Sequence, residues 1–178
     1  MPEVSVGISK ERNSGHTKRA PVRLKEVIEP MQFGINIPNF GPCGDSRFLA
    51  ELAHDAEQAG WDGFFIWDHI TREDAPPLVD PWIALAAIAM HTKRIRIGAL
   101  VTPMPRRRPW MVARQAAALD HLSGGRMVLG VGSGHRHVEF GDLGEESDAK
   151  RRGEMLDEGL DILAGLWRGE PFSFEGKH

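Results

Sequence analysis

Asp68 and His69 follow directly on the apolar run FFIW, residues 64–67. A carboxylate and an imidazole ending a segment fit for burial are out of place in a core and useful at the mouth of a site. A histidine there exchanges a proton near neutral pH, and the adjacent carboxylate holds a loop or binds a ligand hydroxyl or ring N–H. As an isolated pair they equally suit a plain turn, with Asp68 capping it and His69 a satisfied rim residue. A second candidate is GVGSGH, residues 130–135. Its glycines let backbone approach a ligand closely, and its N–H groups could cradle a phosphate; strand-to-loop glycines are also common without any such role. His135 and His137 stand two apart in the loop 132–147. With Cys43 the single cysteine and no H-E-x-x-H, no metal site is expected. No G-x-S-x-G elbow is present, which disfavours a serine hydrolase.

The elements that must position these residues alternate. QFGINIP (32–38) has Phe33, Ile35 and Ile37 at strand spacing. Asp45 or Ser46 caps a helix carrying Phe48, Leu49, Leu52, Ala53 and Ala56, stopped by Gly60. WDGFFIW (61–67) is a second strand. Asp80-Pro81 opens the helix WIALAAIAMH, and IRIGALV (95–101) is a third strand. Pro109 to Gly124-Gly125 bounds a third helix, and RMVLGV (126–131) is a fourth strand. Asp148 starts a helix in which Leu156, Leu160, Leu163 and Trp167 share a face. Strand centres near 34, 64, 97 and 128 give units of about 31 residues, the size of one unit of a (β/α)8 barrel of roughly 250 residues. The fold class expected is therefore α/β: parallel (β/α) units of a TIM-type barrel, about four of eight, a half-barrel. A doubly wound open sheet competes, but no strand is followed by a full G-x-G-x-x-G fingerprint.

Ligands of such folds bind at the carboxyl ends of the strands. The four strands end in Pro38-Asn39, Asp68-His69, Thr102-Pro103 and Gly132-Ser133-Gly134-His135. That convergence favours a site over a plain turn. The loop 132–147 is also long enough to read as functional. The tryptophans at 61, 82, 110 and 167 read as core or helix-packing residues, with Trp67 set apart because it borders Asp68.

The totals exclude several classes. The chain has 178 residues, 41% hydrophobic and 26% charged, as a soluble globular domain has. A net charge of −3 gives no case for nucleic acid or an anionic membrane. The one basic cluster, Arg106–Arg108, reads as a solvated loop. The longest apolar stretch, PWIALAAIAM, is too short to span a membrane, and the N-terminus has no secretory h-region. A reducing, cytoplasmic setting is expected. Residues 1–30, with ten charges, read as a loosely ordered extension ahead of a domain at 31–178. The final EPFSFEGKH reads as the start of another strand or hairpin. Half of a barrel has open edges. The chain is therefore expected to be a fragment, a homo-oligomer, or one that closes differently.

FGINIPNFG, AGWDGFFIWDHI, RIGALVTPMPRRRP, LDHLSGGRMVLGVGSGH, GEMLDEGLDILAGLW and GEPFSFEGKH together resemble the luciferase-like monooxygenase family, over residues 31–178 and in the family's order. They also resemble its deazaflavin (coenzyme F-420) branch. The resemblance implies a flavin-class cofactor, F-420 or FMN, at the rim of a TIM-type barrel. It implies an oxidoreductase acting on a small organic substrate by hydride transfer or dioxygen activation. It places the catalytic acid or base at His69 and cofactor contacts at Asp68, Thr102, Gly132, Ser133 and Gly134. It puts a bulge with a non-prolyl cis peptide near Ala99-Leu100, backing the ring. Where some deazaflavin members carry glutamate, this chain has His135. The alternative is a truncated or non-enzymatic flavin-binding protein, or a subunit needing a partner half.

Overall fold

The computed structural model describes residues 31–74, 76–135 and 137–178. The stretch 1–30, expected as a loosely ordered extension, lies outside them. Three parallel strands, β1 (Gly34–Ile37), β2 (Gly63–Ile66) and β3 (Arg96–Ala99), lie side by side in chain order. Helices α1 (Ser46–Gln58) and α2 (Pro81–His91) connect them. Two short strands, β4 (Thr102–Pro103) and β5 (Val131–Gly132), pair in parallel beyond a break, joined through α3 (Pro109–Ser123); α4 (Ala149–Leu166) follows. The order of four β/α units is the one expected.

The caps fall where the residue types put them. Asp45 accepts from the backbone N–H groups of Arg47 and Phe48, and Asp80 from those of Trp82 and Ile83. Gly124, at φ 73°, ends α3 in the left-handed conformation. The core lies between sheet and helices: Phe64, Ile66, Ile97 and Ala99 meet Leu49, Leu85, Ile88, Val112 and Leu163. The other face of the sheet is not a second wall of branched side chains. It carries Gly34, Asn36, Gly63 and Phe65, and the Phe65 ring covers the space where a Cβ on Gly34 or Gly63 would sit.

Several expectations are corrected. The third strand stops at Ala99, and the fourth pairs with it only in pieces: Val128 N–H donates to Ile97 at 2.8 Å, Thr102 N–H to Gly130 at 2.8 Å, and then β4 meets β5. Gly98 lets the incoming backbone close in, since a Cβ there would lie 2.0 Å from the Val128 carbonyl oxygen. On α4 the buried face is Arg152, Gly159 and Leu163, whereas Leu160 and Trp167 are exposed. Trp61 and Trp110 are exposed as well, and only Trp82 is buried. The segment after α4 forms no strand. It lies along α4, where Lys177 and His178 meet Glu154, whose carboxyl is pushed down to about 2 by those two hydrogen bonds.

At the end of the sheet opposite the rim, Glu57 of α1 is buried. Its Oε2 accepts N–H groups of Lys93 at 3.0 Å, Arg94 at 2.5 Å and Ile95 at 2.8 Å. Arg126 ties the same end together by donating to Ala89, Thr92, Ile95 and Ser123. Burial alone would raise the Glu57 carboxyl, but the three backbone N–H groups hold it below the usual range. A lowered folded value contributes stability that is present above the ordinary glutamate range and is lost as pH falls through the folded value. Glu57→Gln is therefore expected to cost about 1.5–3 kcal/mol at neutral pH. Urea unfolding between neutral pH and about pH 4 should show the wild type losing this margin and the variant losing much less.

Candidate functional site at the strand ends

Asp68 leaves β2 with its side chain fully buried. Such a carboxylate must be compensated, and two guanidinium groups do so. Arg106 Nη2 donates to Asp68 Oδ1 at 2.7 Å and also to the Asp68 backbone carbonyl. Arg107 Nη2 bridges Oδ1 at 2.9 Å and Oδ2 at 2.8 Å. The arginine run expected as a solvated loop is thus largely interior: the Arg106 side chain is 2% exposed and that of Arg107 is 16% exposed. Only Arg108 faces solvent. A run of three arginines carries no sign of this in sequence, because the compensating carboxylate comes from 38 residues away.

His69 turns the other way. Its Nδ1 is 2.9 Å from Glu139 Oε1, which also accepts the Ile70 N–H at 2.9 Å. Glu139 belongs to a 3-10 turn, His137–Glu139, inside the long loop 132–147. Its Oε2 stands 3.6 Å from Arg106 Nη1, so one arginine lies between two buried carboxylates. Burial by itself would push the Glu139 carboxyl up; the hydrogen bonds from His69 and Ile70 and the charge of Arg106 hold it below the usual carboxylate range. Burial pushes the Arg106 guanidinium down, against the pull of Asp68 and Glu139. The His69 ring sits edge-on to Phe40 and Trp67, each at 5.7 Å between centroids. Asn39, at the end of β1 and fully buried, clamps the main chain beside it: its amide donates to the carbonyls of His69 and Val79, both at 2.8 Å.

The chain bends between β3 and β4 through a non-prolyl cis peptide at Leu100–Val101, one residue beyond the expected Ala99-Leu100. Ala99 is buried in the helix-packed core, while Val101 is 43% exposed at the bend. Next to it, Thr102 is fully buried and its Oγ1 has no partner among the described residues. Gly132 sits against the bend, where a Cβ would lie 2.7 Å from Val101 Cγ2. Gly134, at φ 77°, has a packing role beyond any ligand: a Cβ there would lie 2.2 Å from the Phe140 ring. Ser133 lends its carbonyl to Arg152, whose guanidinium lies 4.6 Å over that ring. His135 is exposed, and His137 pairs with Asp142 at the surface at 3.1 Å. Asp68, His69, Thr102 and the 132–134 loop therefore share one rim. Glu139, Arg106, Arg107 and Val101 were not identified as site residues from the sequence. A cleft of about 260 Å³ between residues 104–110 and α4 adjoins this cluster, with Arg106 and Arg107 in its wall but none of Asp68, His69, Thr102 or Ser133.

The profile of the luciferase-like monooxygenase family matches residues 31–178, and the chain belongs to that family. It is 36% identical over 158 residues to an F-420-dependent glucose-6-phosphate dehydrogenase of Nakamurella multipartita, covering 84% of this chain and 44% of that protein. It is 33% identical over 149 residues to a 4-hydroxyprotoasukamycin monooxygenase of Streptomyces nodosus subsp. asukaensis, covering 80% and 39%. Among solved structures it is similar to an F-420-dependent secondary alcohol dehydrogenase in complex with an F-420–acetone adduct, with a TM-score of 0.73, 26% identity and coverage of 83% and 45%. The oxygenating constituent of 3,6-diketocamphane monooxygenase from Pseudomonas putida, in complex with FMN, is similar at a TM-score of 0.72 and 25% identity, covering 83% and 42%. The chain thus spans less than half the length of these relatives, and the fold is the part of a TIM-type barrel expected from the strand spacing.

Removing one partner of a buried, hydrogen-bonded ion pair leaves the other charge uncompensated. Asp68→Asn, which strips charge from beneath both Arg106 and Arg107, is expected to cost about 3–5 kcal/mol. Chemical denaturation reads this directly; a loss under about 1 kcal/mol would mean that the two guanidinium groups find water instead.

Proposed function

We propose that this chain provides the rim of a flavin-class oxidoreductase of the luciferase-like type, binding F-420 or FMN and acting on a small organic substrate. The observation that carries this is the imidazole of His69, 20% exposed, held at a strand end of the rim that also carries the bend and a buried hydroxyl with no partner among the described residues. The residues present fit such a group: Val101 offers an apolar surface, Thr102 an orphaned Oγ1, and Gly132 and Ser133 a loop without bulk. The names of the similar proteins, which include F-420-dependent and FMN-bound enzymes, support the cofactor class. When bound, that cofactor supplies hydride transfer or, for FMN, dioxygen activation.

In this reading His69 gives or takes the proton at Nε2, the ring nitrogen that bonds to none of the described residues. Asp68 acts on the cofactor through the frame it imposes on Arg106 and Arg107. Ala99 leads from the core into the Leu100–Val101 bend that backs the ring, and Gly132, Ser133 and Gly134 line its other edge. Among the described residues no helix is long and apolar enough to cross a membrane, and we place the protein in the cytoplasm. A second reading is favoured by the share of each relative that the chain spans and by the outer edges of β1 and β5, which pair with no strand among the described residues. In it the rim is completed by a further half or by a second copy of the chain. The outer face of α2 suits such contact, with Ile83 64% and Met90 65% exposed.

Fluorescence titration with FMN and with F-420, alongside light scattering, tests both readings. Saturable binding of one cofactor is expected, by a complete rim or by a defined oligomer. In an assembly that turns over, His69→Ala is expected to lower kcat by about 100-fold or more with cofactor affinity little changed, while Asp68→Ala weakens cofactor binding. Wild-type behaviour of both variants would overturn the site.

A further inference from the structure

Glu139 has no place in the proposed chemistry beyond its contact with His69, yet its surroundings are unusually specific. It is 2% exposed, and the turn that carries it is pinned from behind. Phe140, the next residue, is completely buried in the space that Gly134 leaves open. Arg152 lies over the Phe140 ring while its own N–H groups donate to the carbonyls of Ser133 and Ser147. The carboxylate is thus set by loop packing, not by a flexible stem.

Each contact of Glu139 demands an acceptor. The Ile70 backbone N–H can only donate, and it shares Oε1 with His69 Nδ1. Arg106 approaches Oε2 as a cation and has no acceptor capacity. An ionised carboxylate in that position takes a proton-bearing Nδ1, so the neutral imidazole must carry its hydrogen on Nδ1 and leave Nε2 bare. Phe40 and Trp67 fix the ring edge-on, and Asn39 fixes its backbone, so the bare nitrogen keeps one direction. Nε2 can then receive a proton, and the positive charge that develops on the ring faces the Glu139 carboxylate.

We propose that Glu139 is the positioning residue of His69, selecting the Nδ1–H tautomer, with Arg106 keeping that carboxylate anionic through a bridge to Asp68. This rests on the reading of His69 as the acid–base group, but the tautomer can be measured without cofactor or turnover. Long-range 1H–15N spectra of the chain labelled at histidine, with His69 assigned by comparison with His69→Gln, report which ring nitrogen bears hydrogen. They are recorded at about pH 9, above the ordinary histidine range. The wild type is expected to favour Nδ1–H by about tenfold, the ratio a charge-assisted hydrogen bond supports. Glu139→Ala is expected to reverse this to a majority of Nε2–H, the form free imidazole prefers. A wild-type spectrum showing Nε2–H or the free-imidazole mixture overturns the proposal, as does an unchanged tautomer in Glu139→Ala. If Glu139→Ala does not fold, the wild-type spectrum decides alone. An Nδ1–H tautomer alongside full activity of His69→Ala would sink the catalytic reading of His69 and leave the positioning intact.

Discussion

A carboxylate driven fully out of water at the end of β2 is the constraint on which the rim depends. Asp68 is retained there only because Arg106 and Arg107 reach it, and Arg106 is in turn shared with Glu139. Two anions, two cations and an imidazole occupy one small volume of low dielectric, where removal of any member leaves a costly orphan. The cluster therefore fastens three pieces of chain that have no backbone ladder in common: residues 68–70, the segment 104–107, and the turn at 137–139. It sets the rim's shape by electrostatics where the sheet itself has stopped.

The bend between β3 and β4 and the loop after β5 are shaped by a different force, close packing. Gly98, Gly132 and Gly134 each stand where a Cβ would collide with backbone or an apolar side chain from another segment. The glycine-rich motif thus first lets the chain fold against Val101 and Phe140. A cradle for a ligand is compatible with that role, since the same lack of bulk that admits a ring from inside leaves the outer surface shallow. Motif and packing are two consequences of one absence.

Opposite the rim, Glu57 and Arg126 gather backbone N–H and carbonyl groups where α2 passes into β3 and α3 into the fourth strand. Both ends of the sheet are in this way fastened by buried, hydrogen-bonded carboxylates, Asp68 and Glu139 at one and Glu57 at the other. α2 itself is apolar nearly all round, with Leu85 and Ile88 buried and Ile83 and Met90 in the open. A helix of that kind is at home inside a larger assembly, and the chain spans less than half the length of the relatives named above.

The local elements were legible in the sequence because they rest on local physics. Asp45, Asp80, Gly124 and Asp148 mark helix ends through bonds made within a few residues, Pro109 through its fixed φ at the first helical position, and the spacing of apolar residues set the order of four β/α units. That order alone brought Asp68, His69, Thr102 and the 132–134 loop to one edge. What each group touches there was settled only by the tertiary structure. Arg106 and Arg107 read as a solvated run because burial of a charge depends on a partner, and theirs lies 38 or 39 residues earlier in the chain. Glu139 passed as a loop residue because its partner stands 70 residues away. Periodicity and capping are encoded residue by residue, whereas compensation of buried charge belongs to pairs of distant segments and comes into being only when they meet.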